Sequence, residues 1–387
     1  MKLKYILYAV ILLGLLAGAA VFYKLYQGNT FIWLSDYTFN SPTFEERDEL
    51  TDIILVVVDH WEPGGKQELV NQWMEHYRIL ADKHIDADGV KLQHTWFYPI
   101  DQFRGYEVDS IVQLSREGYG DVELHLHHAL DDSTSLDKRF SDGLDSLRAH
   151  GALVTQDGSS SFGFVHGNWA LDNSRVYQGR DLCGVDNEIT ILQKFGCYAD
   201  FTFPAMTQTA QPSLVNKIYY CVDDQEKPKS HDTGVRSSVG YKPTDEEFMI
   251  FEGPYMVDWS DWQFKTHPTI DDGNLYWEIP TTAHRFDVWL KANVHVEGRP
   301  NWVFVRPFTH GCSMRYDGAF DNILGKNIDN MLTEVEQKYN DGSKYRLHYM
   351  TAREAYNVVK AAEAGMNGNP NEYRDFVLPK YVYPATE

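Results

Sequence analysis

The sequence predicts an α/β fold: a largely parallel sheet with helices outside it, curled into a closed or nearly closed barrel. Three observations predict this. Short apolar runs of strand length alternate with helical patterns from residue 51 onward. There are about seven such runs, which suits a barrel better than a small open sheet. Histidine and carboxylate side chains recur where the runs stop. A doubly wound open sheet is the alternative architecture.

The elements follow in order. Lys2 and Lys4 precede an uncharged run, Tyr5–Tyr23, long enough to cross a bilayer as a helix. Lysines retained inside would leave the rest of the chain outside the cytoplasm. This predicts a cytoplasmic end at 1–4, a transmembrane anchor at 5–23 and a juxtamembrane linker at 24–50. A cleaved signal peptide, cut near the small residues Ala17–Ala20, is the alternative. The remainder, 51–387, reads as one domain. Ile53–Val58 is a β-branched run of the kind buried on both faces. Residues 66–84 place Leu69, Trp73, Tyr77 and Leu80 on one helical stripe. Further strands are predicted at 92–98, 121–127, 161–165, 198–203, 247–252 and 301–306. Helices are predicted at 106–117, 136–150, 186–195, 282–293, 325–339 and 351–364. Residues 207–245 are polar and turn-rich, and predict an insertion covering one mouth of the barrel.

Composition narrows the function. A net charge of -21 argues against a nucleic-acid partner, which needs a positive footprint. No GxGxxG or Walker pattern follows an early strand, which removes support for nucleotide binding. Cys183, Cys197, Cys221 and Cys312 contain no CxxC pair, and their disulfide pairing stays open.

The chemistry sits at the strand ends. Asp59, His60 and Glu62 follow the first strand, Asp101 the second, His125, His127 and His128 close the third, His166 and Asn168 end the fourth, and His310 follows the last. In α/β barrels such ends converge on one mouth. Imidazole and carboxylate are the usual ligands of a catalytic Zn2+, which acidifies water and polarises a carbonyl. In an extended strand His125 and His127 share one side and His128 takes the other, so the first two are candidate ligands with His60, and His128 is an alternative. Asp59 or Glu62 is the candidate base, and His310 the candidate acid. His166, Asn168, Trp169, Asp101 and Arg306 are candidate substrate contacts, Trp169 as a sugar-stacking face.

These motifs (VVVDHW at 56–61, DVELHLHH at 121–128, FGFVHGNW at 162–169, GCYADFTFPA at 196–205 and VFVRPFTHG at 303–311) resemble those of the polysaccharide deacetylases, the NodB-like carbohydrate esterases. The resemblance runs loosely over residues 51–312. It implies a distorted (β/α)7 barrel, a divalent metal, most often zinc, and removal of N- or O-acetyl groups from a glycan. Carried over residue by residue, it makes Asp59 the base, His60 and His125 ligands, and His310 the catalytic histidine. His60 stands where the family has aspartate. His127 or His128 must replace a second histidine that would fall at Ala129, and the family's arginine before Gly167 is missing. In another register Asp59 is the ligand and Glu62 the base. The expectation is deacylation of a cell-envelope or exported polysaccharide by a single-pass protein of a bacterial inner membrane, with its domain on the periplasmic side. Two rivals remain: a glycoside hydrolase using a carboxylate pair such as Asp59 and Glu252, and an inactive carbohydrate-binding or assembly protein.

Overall fold

The computed structural model describes residues 2–41, 43–263, 267–275, 279–312 and 320–383. The apolar N-terminus forms one long helix, α1 (Lys2–Gln27), whose described side chains are almost all exposed. It is long and apolar enough to cross a membrane. The next segment contains more than a linker. Gly28 and Asn29 turn the chain, with Asn29 left-handed at φ 52°, and α2 (Thr30–Phe39) follows. Phe31 folds back onto Phe22 at 5.1 Å between ring centroids. Trp33 is buried against Val215 and Tyr255, and Asp36 accepts from the Val215 amide at 2.9 Å and pairs with Lys217. Helix α2 is thereby docked on the large domain.

That domain is a mixed α/β fold around a large sheet. Strands β1 (Thr51–Leu55) and β2 (Val58–His60) belong to one nearly continuous run. β1 pairs in parallel with Trp302–Val305 and Tyr345–Tyr349. β2 pairs in parallel with β3 (His94–Pro99) and Phe308–Thr309. From β3 the sheet continues through β4 (Gly120–Leu126), β5 (Phe162–His166), Cys197–Asp200 and Glu247–Phe251, all parallel. Ile218–Val222 and Val235–Arg236 complete that edge antiparallel. Residues 207–245, read as a cover, therefore supply two strands of the main sheet.

Among the described residues no hydrogen-bonded pair joins Glu247–Phe251 to Trp302–Val305, so the strand ladder does not form a closed ring. The two share a core nonetheless. Ile54, Val56, Val58, Phe97, Val165, Met249, Phe251 and Phe304 form one buried cluster, and the Phe251 and Phe304 rings lie 5.4 Å apart. Helices α3 (Gln67–Ala81), α4 (Gly105–Arg116) and α5 (Ser133–Ala149) pack on the outer face of the sheet. Val70, Trp73, Tyr77 and Leu80 of α3 lie on one stripe and are buried. Asp132 caps α5 by accepting from the Thr134 and Ser135 amides. All four cysteines are free and buried.

Candidate metal centre

The period-two alternation of β2 and its extension decides what reaches the strand ends. Asp59 and His60 point to opposite sides. His60 joins the side of Phe308, His125 and His310, while Asp59 meets His94. The chain continues through buried Trp61 to Glu62. Its Oε1 lies 2.9 Å from His125 Nε2 and 2.9 Å from His127 Nε2. The two Nε2 atoms are 3.3 Å apart. Ligand atoms of His60, Glu62 and His125 all lie within 4.8 Å of one another, so the three can share a metal ion.

The rings are set by what holds their far nitrogens. His125 Nδ1 lies 3.1 Å from the Val165 carbonyl, which only an N–H can donate to. Nε2 is then the ring nitrogen that faces Glu62 and the one left for a metal ion. Asp101 accepts the His127 backbone N–H at 2.9 Å and lies 3.3 Å from Nδ1, which aims His127 Nε2 at the same point. A carboxylate behind a ligand histidine is a frequent partner of metal sites. Gly167 packs on this ring: a Cβ there would come within 2.3 Å of His127 Cδ2.

His310 stacks on His60 at 4.5 Å, and Trp169 lies 5.5 Å from each of these two rings. Trp169 holds a left-handed φ of 49°, unusual for a bulky residue. The Nδ1 atoms of His60 and His310 are buried without hydrogen-bond partners. No protein-family model matches this chain, and no curated protein matches it either.

Several expected site residues stand elsewhere. Asp59 is fully buried; its Oδ2 pairs with His94 Nε2 at 2.8 Å and its Oδ1 accepts the Gly311 amide at 2.7 Å. It positions the turn after His310 and is not in the group whose ligand atoms can share an ion. Asp101 orients His127 instead of facing a substrate. The Asn168 amide donates to the carbonyls of His128 and Leu182, stapling a loop. Arg306 is buried and donates to the Phe201 and Phe203 carbonyls, which takes it out of reach of a ligand. His128 and His166 turn away from the centre into a separate buried group with Cys183 and Glu188. Sequence reasoning missed Glu188 altogether. The only trace is an acid five residues after a cysteine, a weak signal. Glu252 is also buried, accepting from the Asn216 amide and from Gln211. The carboxylate pair imagined for a glycosidase is thus enclosed on both sides by protein groups.

The electrostatics follow from crowding. Burial lowers His60 well below the ordinary histidine range, with nearby imidazoles adding to it, and burial lowers His125 and His310. Burial alone would raise Glu62, but hydrogen bonds from His125 and His127 hold it well below the usual carboxylate range. Burial opposes charge on His127, but Asp101 and Glu62 outweigh it and raise the imidazole to about 9. In the metal-free protein this ring therefore carries a proton below that pH, and ligation must displace it. Metal affinity should rise by about tenfold per pH unit from pH ~6 to ~9 as the proton becomes easier to remove. Competition titration against a chelator of known affinity measures this. A flat profile would exclude His127 as a ligand.

Proposed function

We propose that this chain is a membrane-anchored, metal-dependent hydrolase that deacylates a cell-envelope or exported glycan, built on a barrel-like sheet of the deacetylase type. One observation carries the reading: Glu62, His125 and His127 converge within hydrogen-bond distance at strand ends, with His60 and His310 beside them. A divalent ion, for which zinc is the best candidate by donor type, would supply Lewis acidity toward an acyl carbonyl and acidify water. His60 and His125 would hold it, with either Glu62, whose ligand atom already lies within 4.8 Å of theirs, or His127 after a shift of its ring as the third ligand. Glu62, unprotonated and adjacent, would accept a proton. His310, whose ring burial holds toward the neutral form, would take that proton up and deliver it to the departing nitrogen or oxygen. Trp169 would offer a flat face to a sugar ring. The anchor helix is proposed to hold the domain at the extracytoplasmic face of the membrane.

The test is bound metal in the purified protein together with acetate release from acetylated glycans. At least one metal ion per chain, with acetate release, is expected. Absence of bound metal would overturn the mechanism. Metal without release from any acetylated glycan would reject deacetylation and leave a hydrolase of another acyl substrate.

A further inference from the structure

His127 and His128 are neighbours on a strand end, so they face opposite sides, and the second faces another set of ligand-type groups. His128, His166, Cys183 and Glu188 are all buried, and their donor atoms lie within 4.8 Å of one another. His128 Nε2 is 2.9 Å from Glu188 Oε1, and His166 Nε2 is 3.8 Å from that oxygen. Cys183 Sγ is 3.4 Å from Glu188 Oε2. Around a tetrahedral zinc with bonds of about 2.0–2.3 Å, ligand atoms stand about 3.3–3.8 Å apart. His166 Nε2 is buried in this space with no hydrogen-bond partner. Asp131 Oδ2 sits 3.4 Å behind His128 Nδ1, where a ring-orienting carboxylate belongs.

We propose that His128, His166, Cys183 and Glu188 form a second site for a divalent transition metal, structural in role and separate from the first centre. Two imidazoles, a thiol and a carboxylate select zinc over calcium or magnesium. Four protein ligands with no solvent-facing position describe a structural ion. On binding, Cys183 becomes a thiolate. Its proton and any carried by His128 leave to solvent. His166 is the ligand that demands rearrangement. The Asn168 backbone N–H donates to its Nδ1 at 3.1 Å, and ligation through Nε2 puts a hydrogen on Nδ1, so this backbone N–H must turn away at Gly167.

The ion would tie together the end of β4, the end of β5, the Cys183 loop and the helix Glu188–Lys194. Between these points runs the segment that carries Trp169 over His60 and His310. The second site would thus brace the roof of the first.

The test uses the full-length protein in detergent, stripped of metal and reloaded with Zn2+ or Co2+. Two zinc ions per chain are expected in the wild type, one in H125A and one in C183S. The cobalt form should show thiolate-to-metal charge-transfer absorption in the wild type and in H125A, and lose it in C183S. A single ion lost only in C183S would support this site and reject the first centre. A single ion lost in H125A, or a cobalt protein without the thiolate band, overturns the proposal. The band in wild type and H125A decides the matter even if C183S fails to fold, and persistence of the band in C183S also overturns it.

Discussion

The H125A protein is expected to lose the ion at the first centre and, with it, at least about a thousandfold in turnover. The loss of Lewis acidity and of the acidified water is worth several kcal/mol, and each 1.36 kcal/mol is about tenfold in rate. His125 belongs to the group whose ligand atoms can share an ion. It is fully buried, and its Nδ1 is committed to the Val165 carbonyl. Its Nε2 faces both Glu62 and His127. Alanine removes the lone pair and leaves a cavity between them. His127 then keeps its proton, held by Asp101 and Glu62, so a cation remains where a ligand is needed. Metal analysis and turnover measured on the same preparation check this. An H125A protein that retains both metal and activity would refute the assignment of the centre.

The second large effect is expected at His310. In H310A, kcat should fall about 100-fold to 10,000-fold, the usual contribution of a positioned proton donor, while metal content and KM stay near wild type. The ring stacks on His60 but belongs to a different strand end, and nothing in its geometry makes it an obligatory ligand. Its placement depends on Asp59, which holds the Gly311 amide at 2.7 Å. A Cβ at position 311 would come within 2.3 Å of Asp59 Oδ2, so glycine is required for that contact. Steady-state kinetics with parallel metal analysis separates the roles. If H310A loses metal in proportion to activity, His310 is a ligand and the acid must be sought elsewhere.

Much of the architecture was readable in advance because it is written in local periodicity. The predicted strand 121–127 is Gly120–Leu126, and the predicted helix 106–117 is Gly105–Arg116. Among the elements that escaped, three have a clear physical reason. Thr30–Phe39 is nearly apolar and lacks an amphipathic pattern to separate it from the anchor; its helix is secured by Trp33 and Asp36 meeting distant residues. Tyr345–Tyr349 mixes Arg346 and His348 into an edge strand paired with Thr51–Leu55, tolerable because Asp52 pairs with both. Ile218–Val222 was hidden in a turn-rich stretch, and its partner strand comes later in the chain.

The sequence by itself determined the long apolar N-terminal helix, the alternation of strands and helices, and which residues stand at strand ends: His60, Glu62, His125, His127 and His310. It suggested that His127 and His128 diverge but left His128 an alternative ligand. Only the tertiary structure decided which of these groups meet. It turned Asp59 toward His94 and Glu62 toward the histidines, made Asp101 the support of His127, and enclosed Arg306. It also gathered His128 and His166 with Cys183 and Glu188. The reason is physical. Side-chain direction in a strand follows from a two-residue repeat that any chain carries locally. The free nitrogen of a histidine and the partner of a carboxylate depend on hydrogen bonds from segments far away in sequence, such as the Val165 carbonyl for His125 and the Gly311 amide for Asp59.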